Sequence, residues 1–120
     1  MDRRSTTGGF RKLIAWQEAK TLALSIYKLT EKFPTKEQFH LVSQLRRAAS
    51  SVMANLAEGS AMPTKAHRLS YYARARGSAV EVDNHLELSL GLHYITQEEF
   101  DQAEGQLAKV TFLITRLLQS

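Results

Sequence analysis

The chain has 120 residues, enough for one domain but too few for an extensive buried core. It contains no cysteine, which excludes a disulfide framework, a thiol nucleophile and a thiolate metal site. The formal charge of +4 hides a segregation: residues 1–76 hold 14 Lys and Arg against 5 Asp and Glu (+9), and residues 77–120 hold 2 against 7 (−5).

The opening MDRRSTTGG is polar and lacks the apolar segment of a signal peptide, so residues 1–9 read as a flexible tail and residues 10–120 as one domain. No apolar run reaches the length of a membrane span, and the expectation is a cytoplasmic protein with no membrane partner. The first helix is predicted over about residues 10–33, with Trp16, Ala19, Ala23, Ile26, Leu29 or Thr30, and Phe33 on one stripe. FPTKEQ closes it, and Thr35 with Gln38 makes a candidate capping box. The second helix then spans about residues 36–58 and stops at Gly59, a residue suited to a left-handed helix end. SAMPT forms the next turn, with Thr64 as cap, and a third helix spans about residues 65–90, ended by Gly91. TQEE is a further capping box at Thr96, and the helix it opens carries Phe100, Ala103, Leu107, Val110, Ile114 and Leu117 as a bundle seam. No segment alternates with the period of two that a half-buried strand requires. The pattern predicts an all-α fold, an antiparallel up-down-up-down four-helix bundle.

Helices two and three carry an anomaly on the side turned away from the predicted core. In the second, Leu41, Leu45, Ala48, Ala49, Val52 and Leu56 form the core stripe. Side chains one apart on a helix diverge by about 100°, so Arg46 falls at the core edge beside Val42 and Met53, and Arg47 points outward. Its companions there are Ser43, Ser50, Ser51, Ala54 and Glu58, where Lys, Glu and Gln would be ordinary. The third helix pairs a core stripe of Tyr72, Ala75, Ala79, Val82, Leu86 and Leu90 with an outer side of Ser70, Arg74, Gly77, Ser78, Glu81 and Leu88. A mid-helix glycine costs roughly 1 kcal/mol relative to alanine and asks for a packing reason. Two consecutive helices with small outer residues suggest a subunit interface built from Arg47, Ser50, Ala54, Arg74, Gly77, Ser78 and Glu81. The competing reading is a solvent face that happens to be small.

The run QLRRAASSVMANLAEG, followed by GSAVEV and GLHYI, resembles the four-helix bundle proteins encoded within 23S rRNA intervening sequences. FRKLIAWQEAKTLALSIYKLTEKFP is similar to the first helix of that family, so the resemblance covers nearly the whole chain. It implies a small bacterial cytosolic protein assembling as a homopentamer, with no settled activity. Distant relatives are accessory proteins of diversity-generating retroelements, which bind nucleic acid and a reverse transcriptase. Gln44, Arg46, Arg47, Asn55, Glu58 and Gly59 match the second-helix motif, and Gly77, Ser78 and Glu81 the third. The chain has SAMP after AEG, where family members often carry a basic, glycine-bearing stretch.

Glu37 and His40 make one E-x-x-H, but a di-metal bundle needs two such motifs plus two further carboxylates, so no metal or cofactor is expected. Glu81 and His85, one turn apart, read as an exposed helix pair. Arg76 and Asp83 read as a half-buried network setting helix register, in preference to a catalytic pair. There is no nucleophile elbow and no phosphate-binding glycine loop, so no catalytic residue is assigned. Arg3, Arg4, Arg11, Lys12, Lys20, Lys65, Arg68 and Arg74 are the cations available to a phosphate backbone, with Arg11, Lys12, Lys65 and Arg68 the chosen set. Arg46 and Arg47 are read as structural. The expectation is a non-enzymatic homo-oligomer binding RNA or single-stranded DNA, with a protein-binding scaffold as the alternative.

Overall fold

The computed structural model describes residues 9–120, so the predicted tail, apart from Gly9, lies outside the described residues, as do Arg3 and Arg4. Four α-helices are present among the described residues: α1 (Ile14–Thr30), α2 (Leu41–Ser60), α3 (Lys65–Gly91) and α4 (Gln97–Gln119). Among the described residues there is no strand. Side-chain pairs running in opposite directions fix the helix directions. Arg47 meets Glu81 and Ser51 meets Ser78 between α2 and α3. Glu18 meets Lys109 and Lys32 meets Glu99 between α1 and α4. Only residues 92–96 separate α3 from α4, too short a reach to return along a helix of 27 residues, so these two are also antiparallel. The bundle is up-down-up-down.

The core follows the apolar periodicity. All six predicted core residues of α2 are buried, joined by Val42. On α1 the buried stripe is Ala15, Ala19, Leu22, Ala23, Ile26 and Thr30, so Trp16 lies half-buried at its edge. Thr30 is tolerated inside because its hydroxyl donates to the Ile26 carbonyl at 2.8 Å. On α3 buried Ser89 does the same to the His85 carbonyl at 2.7 Å, and Leu90 is half-buried. Caps at Thr64 and Thr96 form as expected, the latter a full capping box with Glu99.

The helix ends depart from expectation in three places. Residues before Ile14 do not extend α1: Gly9–Lys12 make a separate 3-10 turn, and extended Leu13 breaks the helix. Residues 36–40 do not begin α2, and the Thr35–Gln38 capping box does not form. Thr35–Glu37 is instead a 3-10 turn held by tertiary contacts, because the Tyr94 hydroxyl donates to Glu37 Oε2 at 2.7 Å while its ring packs on Phe33. Gly59 is not a left-handed stop. It lies inside α2, buried, where a Cβ would come within 2.8 Å of the Tyr72 ring, so its bareness serves the α2–α3 crossing. Gly91 is likewise helical, and the left-handed position falls on His93 (φ 63°). There the Tyr94 amide reaches the Ser89 carbonyl and the His93 amide reaches Leu90, both at 3.0 Å, a Schellman ending with histidine in place of glycine.

Candidate functional site

The chosen cations gather at one end of the bundle. Arg11 and Lys12 precede α1, and their 3-10 turn packs against α2 as well as α1. Because α2 runs opposite to α1, that contact is with the end of α2 that leads into α3, where Lys65 and Arg68 begin the next helix. Arg11, Lys12 and Lys65 are exposed. Half-buried Arg68 is partly committed, since its Nη1 donates to the Met62 carbonyl at 3.2 Å and braces the α2–α3 turn. Arg74, six residues further along α3 than Arg68, is exposed and lies 4.7 Å over the Tyr71 ring.

The small-residue face is partly used within the chain. Ser51 and Ser78 share a hydrogen bond of 2.8 Å, and Asn55 Nδ2 donates to Ser51 Oγ at 3.1 Å, so a polar seam closes the outer side of the α2–α3 contact. Arg47 donates to Gln44 Oε1 at 3.1 Å and approaches Glu81 at 3.8 Å, while its side chain remains 72% exposed. Ser50, Ala54 and Gly77 are exposed, and a Cβ on Gly77 would meet nothing within 4 Å. Among the described residues nothing accounts for that glycine.

Arg46 has a different environment. Its Nε donates to buried Thr30 Oγ1 at 2.9 Å, its Nη2 to the Tyr27 carbonyl at 3.2 Å, and its guanidinium lies 4.7 Å from the Tyr27 ring centroid. It ties α2 to the end of α1.

The acidic half of the chain holds two arrangements that differ from expectation. Arg76 is exposed and takes no carboxylate among the described residues, so the expected Arg76–Asp83 network does not form. Asp83 instead faces Glu104 across the α3–α4 seam. Burial first, then a hydrogen bond with Asp83 and the charges of Asp83, Glu87 and Asp101, push the Glu104 carboxyl up to about 7. Its Oε2 is shut away from solvent with no donor. The second is His85, which is not an exposed helix partner: its side chain is only 15% exposed, with Nε2 3.4 Å from Glu81. Glu37, the carboxylate of the E-x-x-H, is engaged by Tyr94, and among the described residues no three His, Asp or Glu side chains are placed to hold a metal ion.

Paired arginines inside a small-residue helix, with a glycine at the crossing and a second small-residue helix behind it, form a recognisable pattern. Residues 11–116 match the family described as 23S rRNA-intervening sequence protein. The chain belongs to that family. The fold is also similar to the crystal structure of a protein of unknown function from the S23 ribosomal protein family of Bacteroides thetaiotaomicron VPI-5482. The two share 20% identity at a TM-score of 0.83, over 89% of this chain and 96% of that one. At that identity the likeness is one of fold. No curated protein matches the chain. In this intervening-sequence protein the QLRR…AEG run does several separate things: Arg46 fastens α1, Asn55 belongs to the α2–α3 seam, and Gly59 permits the crossing. Among the described residues no helix is long and apolar enough to cross a membrane.

Proposed function

We propose that this intervening-sequence protein is a non-enzymatic, cytoplasmic helical bundle that binds RNA or single-stranded DNA through its basic end. The observation that carries this reading is the convergence of Arg11, Lys12 and Lys65 at one end, all exposed and drawn from segments far apart in sequence. Cations so placed displace the counterions condensed on a phosphate backbone, and log K then falls linearly with log[salt]. Self-association through the outer face of α2 and α3, into the five-membered ring that the family resemblance implies, would repeat the basic end and multiply a modest affinity by avidity. The test is a binding titration with structured ribosomal RNA fragments at several salt concentrations. Joint replacement of Arg11, Lys12, Lys65 and Arg68 by Gln should flatten the salt slope and leave the assembly size unchanged. An unaltered slope would remove this set from the interface.

A second reading, a homo-oligomeric scaffold for proteins without a nucleic-acid role, draws on a different observation. Phe39 is 83% exposed in the turn that precedes α2, and Val80 and Leu88 stand exposed on α3. Retention of a ring that shifts no nucleic acid at low salt would favour this scaffold.

A further inference from the structure

Resting on the nucleic-acid reading above, we propose that the start of the chain's first helix is a stacking platform for unpaired bases, built from Phe10, Arg11, Trp16 and Lys20. The rings of Phe10 and Trp16 meet edge to face with centroids 4.9 Å apart. Arg11 lies over the Phe10 ring at 4.6 Å, and Lys20 over the Trp16 ring at 5.7 Å. Both aromatic residues are half-buried, whereas both cations are exposed and take no ion-pair partner among the described residues. The turn itself is pinned, since Gln17 Nε2 donates to the Arg11 carbonyl at 2.7 Å.

A hydrophobic clasp closing the end of the bundle would need the two rings only. The cations add what a clasp does not use. A guanidinium beside a ring adds a planar surface of its own, and bases stack on such planes as they do on aromatic rings. Lys20, and Lys12 next to Arg11 on the 3-10 turn, supply the charge that tracks the strand. Duplex bases keep their faces within their own stack, so the platform selects single strands. It has no hydrogen-bonding group committed to one base edge and accepts any sequence. The sequence holds the signal, since W-x-x-x-K places Lys20 one turn from Trp16, but the same tryptophan also fits the apolar stripe of the helix.

Trp16 is the single tryptophan of the chain, so its emission reports on this platform alone. Oligo-dT, oligo-rU and a mixed-sequence duplex are titrated into the full chain at low salt. Both single strands should quench Trp16 emission and the duplex should not. Arg11→Lys keeps the charge and loses the plane. It should weaken single-strand binding about tenfold, the order of one lost stacked base, and leave duplex affinity and the salt slope unchanged. An unchanged circular dichroism spectrum and unfolding midpoint separate that loss from damage to the clasp. Single strands bound at wild-type strength by Arg11→Lys, with Trp16 emission unaltered, would overturn the platform while the basic end remained a phosphate site. No binding of any nucleic acid would overturn both.

Discussion

Arg46 is held by two hydrogen bonds and an aromatic face inside its own chain, and Arg47 by one exposed amide and a 3.8 Å approach to a carboxylate. Hydrogen bonds involving a charged group contribute about 1.5–3 kcal/mol, and an exposed ion pair less than about 1 kcal/mol. Arg46→Ala should therefore lower unfolding stability by about 2 kcal/mol, with little recovered by lysine, which cannot reproduce the flat bidentate geometry. Arg47→Ala should cost the chain less than about 1 kcal/mol. Urea denaturation at one fixed protein concentration measures both. A much larger loss at Arg47, growing on dilution, would mark its burial between copies. Glu104 predicts a pH dependence. Its folded carboxyl lies at about 7, against an ordinary 4.5, so between those values the folded chain keeps a proton that the unfolded chain has released. Stability should fall as pH rises through that window. Glu104→Gln should flatten the fall, read from denaturation midpoints at about pH 5 and about pH 8.

At the scale of the helix, two glycines make opposite predictions. Gly59 sits where α2 and α3 touch, with Tyr72 Cε1 at 2.8 Å and Tyr71 Cβ at 2.9 Å from an added Cβ. Tyr72 is itself buried and cannot swing clear, so Gly59→Ala should destabilise by about 1–3 kcal/mol, the usual cost of overpacking. Gly77 has helical neighbours and open space, so Gly77→Ala should stabilise the isolated chain by roughly 0.5–1 kcal/mol. Thermal unfolding of the two variants should move in opposite directions. At the other end of α3, His93 occupies the left-handed position with the helix's last carbonyls satisfied, so the stop is made by backbone hydrogen bonds, with Gly91 left helical two residues earlier.

For the whole molecule, the open question is what covers the outer side of α2 and α3. Gly77 is destabilising in an exposed helix, and the single chain gives nothing in return for it. Close approach of a second copy would supply the reason. Gly77→Leu or Ser50→Trp should then shift the light-scattering mass of the purified protein toward the monomer while helicity by circular dichroism is retained. A wild-type chain already monomeric at micromolar concentration would refute the interface. Charge acts at the same scale: the basic first part of the sequence and the acidic second part meet within one bundle, so cations lead at the end where α1 and α3 begin and carboxylates along the α3–α4 seam.

The spacing of apolar residues determined by itself that the described residues form four helices, and it named six of the eight buried residues of α2, all but Val42 and Gly59. Capping by Thr64 and Thr96 was also legible, because a cap is satisfied by residues three positions away. The gathering of basic residues at one end followed from the topology that those helices imply. Only the tertiary structure decided what depends on the axial offset between helices. It placed Gly59 at a crossing, drew residues 35–37 out of α2 through Tyr94 and Phe33, and put Asp83 beside Glu104 with Arg76 left in solvent. It likewise set Arg11 and Lys20 over Phe10 and Trp16. The reason is physical: periodicity fixes which face of a helix turns inward, whereas the partner met by a side chain at the seam depends on how far one helix slides along another, and that offset is set by packing the whole core at once.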